Sequence, residues 1–171
     1  MRETPEDLDR LQSLIDRSIE QASPFLRRSF EMPEHSLSAA QLAGHLQGSL
    51  TVAFATVTAR GEPRVAPIDA LFVHGRFNVP TVAESVRARH LAKRPGASVT
   101  YFEGIDLAVI AHGEARIVSE ADDEFDELDE VQVAAGNQSP REWPGAAVYF
   151  AVEAKSLFTF ARYPERFAAA G

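Results

Sequence analysis

Cysteine is absent from the 171 residues, which excludes disulfides, thiolate nucleophiles, iron–sulfur clusters and cysteine-based zinc sites. No apolar run approaches the ~18 residues of a membrane-spanning helix, so no membrane partner is expected. The opening residues, Met1-Arg2-Glu3-Thr4-Pro5-Glu6-Asp7, lack the apolar stretch of a secretion signal, and the cytoplasm is the expected compartment. The motifs G-x-G-x-x-G, the P-loop, G-x-S-x-G and H-E-x-x-H are all missing. Five histidines occur (His35, His45, His74, His90 and His112), none paired with another at a metal-ligand spacing, so no metal is expected.

What is present is globular: 45% of residues are hydrophobic and 25% charged, in a chain of single-domain length. The net charge of −8 is unevenly spread. Glu120, Asp122, Asp123, Glu124, Asp126, Glu127, Asp129 and Glu130 fall in one segment without Lys or Arg. Its simplest reading is a solvated helix face over a Phe125/Leu128 stripe. Conversely, Arg76, Arg87, Arg89, Lys93 and Arg94 cluster against a single acid, Glu84. A compact basic stretch in an acidic protein points to a small anionic ligand. Nucleic acid would require a wider basic footprint and is not an expected partner.

The chain opens with a helix. Thr4 is placed to cap it, Pro5 to take the first turn, and Leu8, Leu11, Ile15 and Ile19 to form its apolar stripe, ending near Ser23-Pro24. That stripe could cover the main body or extend a dimer interface. An irregular linker is expected through Met32-Pro33. A second helix starts at Ser38, with capping-box spacing to Gln41, inward Leu42 and Leu46, and Gly48 to end it.

Strands are expected at Leu50–Thr58, Pro63–Val73, Arg76–Val79, Ala97–Phe102, Leu107–Val118 and Ala146–Phe160, with Pro67 at an edge or bulge. Ala59–Glu62 and His74-Gly75 read as turns. A short basic helix spans Ala83–Arg94, and the acidic segment forms a helix to Ala134. Gly136–Gly145 is read as a loop, and Ala168-Ala169-Ala170-Gly171 as a frayed end. The expected fold is mainly β with peripheral helices: a six-stranded antiparallel barrel, N-terminal helices and two inserted helices. Closure removes the sheet's edges. Residues 1–171 form one domain in this reading, with 1–35 as the helical extension and 38–160 as the barrel core.

Two stretches carry chemistry. Gly61-Glu62-Pro63-Arg64-Val65-Ala66-Pro67 runs from turn into strand. Ser85-Val86-Arg87-Ala88-Arg89-His90-Leu91 opens the basic helix, offering a hydroxyl, two guanidinium forks and helix-start N–H groups, the parts of a phosphate site. The competing reading is a plain basic surface helix.

In order and spacing, these stretches resemble the pyridoxamine 5′-phosphate oxidase-like, FMN-binding split β-barrels. The family pattern A-T-x-x-x-x-G-x-P-x-x-x-P matches Ala55 to Pro67. Thr81, the Ser85–Leu91 segment, Arg94 to Val99 and Val109 to Val118 follow as in that family. The resemblance covers about residues 38–160. It implies a homodimer with flavin at the subunit interface and a phosphate clamp at Ser85 and Arg87, assisted by Arg89 or His90. It further implies a strand facing the ring from Arg64 through Val65, Ala66 and Pro67 to Asp69, with Trp143 contributed by the partner or merely packed. Arg87 stands where the family usually has Lys, and His90 where it has Asn. The family's C-terminal substrate signature is not found in Arg162–Phe167, so vitamin B6 chemistry is not expected.

The reading that follows is an FMN-dependent oxidoreductase acting on a small molecule. A reductase using the 8-hydroxy-5-deazaflavin coenzyme is second, with Arg27, Arg28 and Lys93 available for its acidic tail. A non-catalytic flavin- or haem-binding or regulatory module is third. No residue is an obvious catalyst; Asp69, His90 and Tyr101 are the candidate proton donors.

Overall fold

The computed structural model describes residues 2–168; Ala169, Ala170 and Gly171 of the expected frayed end lie outside them. Helix α1 (Pro5–Gln21) begins as the sequence dictates. Thr4 accepts from the Asp7 N–H, and Asp7 returns the bond to the Thr4 backbone, a complete capping box. The stretch read as a linker contains a short helix, α2 (Pro24–Ser29), capped by Ser23. Helix α3 (Ala39–His45) carries the Ser38/Gln41 box, and Leu42 and Leu46 are fully buried. It stops before Gly48, which takes a left-handed conformation in the loop beyond.

Six strands follow: β1 (Leu50–Val57), β2 (Pro63–Val73), β3 (Arg76–Val82), β4 (Gly96–Glu103), β5 (Leu107–Ser119) and β6 (Ala147–Ala161), all pairing antiparallel. Helix α4 (Val86–Leu91) lies between β3 and β4, and α5 (Asp123–Ala134) between β5 and β6. The strands close into a barrel in the order β1-β2-β3-β6-β5-β4. Strand β3 runs three residues past its expected end because Pro80 to Val82 pair with β6, a partner far away in sequence. Helix α4 is correspondingly short, with Ser85 capping the Ala88 N–H.

Alternation along the strands separates two cores. Val52, Phe54, Val99, Val109 and Phe150 fill the barrel, joined from outside by Leu11 and Ile15 of α1. Leu71, Val118 and Tyr149 face the other way, under Phe125 and Leu128 of α5. Helix α1 thus covers the barrel; the Ser18 hydroxyl accepts from the Leu157 N–H at 2.9 Å.

The acidic helix is partnered rather than merely solvated. Arg76 and Arg116 both reach Glu124. Arg141 pairs with Glu120, Asp126 and Asp129 and stacks over Phe125. His74, in the turn between β2 and β3, lies 3.3 Å from Asp7 and 3.0 Å from Glu127. That turn has φ of 58° at His74 and 70° at Gly75, the two left-handed residues of a type I′ hairpin.

The seams of the barrel place the candidate site. Strand β1 meets β4 only at Ala53–Ala55, and β2 meets β3 only at Leu71–Val73. The far half of the β1–β2 hairpin, where Thr56 pairs with Arg64, therefore projects beyond the closed part, with Pro67 on the resulting free edge. Helix α4 packs beside that projection.

Candidate functional site: a cavity between the β1–β2 hairpin and α4

A cavity of about 590 Å³ opens between these elements, lined by Phe54, Thr56, Thr58, Arg64, Val65, Ala66, Val86, Arg87 and His90. Register explains the lining. Phe54 pairs with Ala66 and Thr56 with Arg64, so these four side chains share the inward face. Ala88 and Leu91 anchor α4 in the barrel core, which leaves Val86, Arg87 and His90 at the cavity. The Thr56 hydroxyl lies 3.0 Å from His90 Nδ1 and orients the ring.

Two cations serve the cavity. Arg64 donates to Glu62 at 3.0 Å. Arg87 forms no ion pair among the described residues. Apolar walls for a planar ring beside a free guanidinium for a phosphate are a donor set that fits FMN.

The structure brings together Arg64, Val65, Ala66, Arg87 and His90 from the sequence-derived set. Ser85 sits at the edge of α4, its oxygen occupied by the helix cap. Arg89 points to an adjoining cavity and donates to the Glu84 carbonyl at 2.8 Å. Pro67 and Asp69 pair with Ala53 and Thr51 on the opposite, outward face. Trp143 follows a 3-10 turn, Pro140–Glu142, that packs on β3 and β6, and does not line the cavity. Tyr101 is also elsewhere. It donates to Glu103 at 2.7 Å, and burial together with that carboxylate pushes its phenol up to about 12. Arg27 and Arg28 lie by Met32 and His35, away from both cavities.

Sequence reasoning missed Phe54, Thr56, Thr58 and Val86 as lining residues. Thr56 left a usable signal: a polar residue at an inward position of a strand otherwise lined by Val52 and Phe54.

The chain is thus a closed six-stranded antiparallel barrel with a cation-edged cavity against a short helix. The family model for pyridoxamine 5′-phosphate oxidase matches residues 39–159, and the chain belongs to that family. A conserved hypothetical protein of Mycobacterium tuberculosis superposes with a TM-score of 0.67 at 19% identity, over 80% of this chain and 92% of that one. An F420 reductase superposes at 0.54 and 14% identity, over 66% and 91%. The haem storage protein HutZ of Vibrio cholerae superposes at 0.54 and 15%, over 70% and 90%. At these identities the likeness is one of fold. Among curated proteins none matches the chain in sequence.

Proposed function

We propose that the chain is a flavin-dependent oxidoreductase that binds FMN at the interface of a homodimer. The observation that carries this reading is the cavity that sets unpaired Arg87 beside Phe54, Val65, Ala66 and Val86. In this reading Arg87 holds the phosphate with Arg64 nearby. The Val65-Ala66 backbone meets the ring edge, and Phe54 and Val86 exclude water. Thr56 holds His90 in place, leaving Nε2 for a ligand. A bound flavin would supply hydride and single-electron transfer, with the protein contributing binding and orientation.

The homodimer is supported by the outward sheet face. Pro67, Ala53, Thr100, Ile110 and Phe158 are aligned across five strands. Val65 and Phe102 on the same face are 69% and 59% exposed. A second copy would cover this apolar surface. Pro67 and Asp69 then belong to the interface rather than to their own chain's cavity, and a small-molecule substrate would enter between the subunits. A deazaflavin coenzyme is the second reading, favoured by the basic cavity adjoining the first.

The test is an absorption spectrum of freshly purified protein followed by FMN titration. Bands near ~450 and ~370 nm, or tight FMN uptake, are expected. A colourless protein that ignores FMN overturns the flavin reading, and uptake of the deazaflavin coenzyme by that protein establishes the second. Flavin uptake without reduction by any nicotinamide or substrate would make this a binding module.

A further inference from the structure

The outward sheet face carries a second row beside the apolar one. Val65 pairs with Ala55, Ala55 with Ser98, Ser98 with His112 and His112 with Ser156, so five side chains lie in line from β2 to β6. The first of them lines the cavity. The fourth is an exposed imidazole. Ser98 Oγ lies 2.8 Å from His112 Nδ1, which orients the ring and leaves Nε2 without a partner among the described residues. His35, His45 and His74 each reach a carboxylate, but His112 reaches none among the described residues.

Within one chain His112 is too far from the cavity to serve it. Three strand spacings separate it from Val65, roughly 14 Å, well beyond the reach of an imidazole. A second copy changes this. Two sheets that pack face to face through a two-fold axis have two aligned arrangements. An axis across the strands sets each strand over its own copy. Ala53 then faces Ala53 and Ile110 faces Ile110, which leaves a void over β1 and a collision over β5. An axis along β4 reverses the strand order, so β5 of one copy lies over β1 of the other. The sizes then match: Ile110 seats on Ala53, Phe158 on Pro67, and Thr100 meets its own copy. Close packing selects this arrangement.

The polar row folds back on itself in the same way. The partner's His112 seats on Ala55, and the partner's Ser156 on Val65 at the mouth of the cavity. Ala55 is small enough to admit the ring. An imidazole enclosed by Ala55 and Val65 alone would lose its water and gain no hydrogen bond, which is unfavourable. The polar group within its reach is the ligand of the cavity.

We infer that the two-fold axis of the dimer runs along β4, and that each subunit contributes His112 to the cavity of the other, where Nε2 hydrogen-bonds the bound flavin. This rests on the homodimer and on the first cavity being the FMN site.

The test is complementation between two defective chains, read as FMN binding. His112→Ala and Arg87→Ala are each purified as homodimers, and together as a mixed dimer isolated through two different affinity tags. Both homodimers should bind FMN more weakly than wild type, His112→Ala by about fivefold, the scale of one hydrogen bond. The mixed dimer should regain one site of wild-type affinity, because the subunit that keeps Arg87 receives the partner's His112. Two defective sites in the mixed dimer would place His112 in its own chain's site and overturn the inference. Wild-type affinity in the His112→Ala homodimer also overturns it. The axis has its own check, clean because the chain lacks cysteine. A short bismaleimide should join two Thr100→Cys chains. It should leave Pro67→Cys chains single, since the two copies of that residue are four strand spacings apart, ~19 Å. Joined Pro67→Cys chains, or Thr100→Cys chains left single, overturn the assigned axis. A wild-type protein that is monomeric or takes up no FMN overturns the underlying reading as well, whereas a wild-type dimer that binds FMN without complementation overturns the inference alone.

Discussion

Arg87 offers the most direct check of the phosphate assignment. It faces the first cavity with no carboxylate partner among the described residues, so its removal costs the apoprotein little. Arg87→Ala should weaken FMN binding by ~1.5–3 kcal/mol, the scale of a hydrogen bond to a charged group. Unchanged affinity in a fluorescence titration would place the phosphate elsewhere. Tyr149 poses the opposite case. It is fully buried and its hydroxyl has no partner, while burial and nearby Asp129 push its ionisation upward. Tyr149→Phe should therefore leave stability unchanged or raise it by up to about 1 kcal/mol, because an unsatisfied buried group is costly; a clear loss in chemical denaturation would reveal a partner for the hydroxyl. Tyr101 differs because its hydroxyl is used. With its phenol pushed up to about 12 and that of Tyr149 raised as well, a spectrophotometric titration should find two tyrosines still protonated after an ordinary one has ionised, and Glu103→Gln should lower the ionisation of one of them only.

At the scale of elements, the strongest constraint is the register shift between β5 and β6 at His112/Gly113. A Cβ on Gly113 would lie 2.0 Å from the Glu153 carbonyl oxygen, a backbone atom with no room to yield. Gly113→Ala should cost about 3 kcal/mol or more, the upper range for overpacking, measured as a fall in denaturant midpoint at constant slope. Helix α1 gives a pH dependence. Burial works against the Asp7 carboxylate, but bonds from the Thr4 backbone and hydroxyl and from His74 outweigh it and hold it below the usual carboxylate range. The folded state therefore binds the Asp7 proton less readily than the unfolded chain. Its stabilising contribution is full above the ordinary carboxylate value and is lost as pH falls through the lowered one. Asp7→Asn should blunt the acid limb of the stability profile; an unaltered limb would mean that the cap and the His74 contact carry no such linkage.

At the scale of the whole molecule, the exposed outward face should appear as self-association. Light scattering should find twice the chain mass, and Phe102→Glu should shift it toward the monomer by burying an unpaired charge in the interface. A wild-type monomer would remove the homodimer from the proposed function.

Much of the architecture was readable before any coordinates, because the information is local. Thr4 and Ser38 with their partners three residues on marked helix starts, His74-Gly75 marked a hairpin, and alternating β-branched residues marked the strands. Local chemistry also singled out the Arg64–Ala66 and Arg87–His90 segments that meet at the cavity. What local chemistry could not specify was distant pairing. The extension of β3 depends on β6, the partnering of α5 depends on arginines from three other segments, and the burial of Leu11 and Ile15 depends on the barrel beneath them. The division of β2 into an inward Arg64 and Ala66 and an outward Pro67 and Asp69 likewise required the register against β1, since a shift of one residue would exchange the two faces. The same holds for Arg60, Arg89 and Lys93. They are scattered over two stretches of chain and become a single basic cavity only when the β1–β2 turn folds against the end of α4.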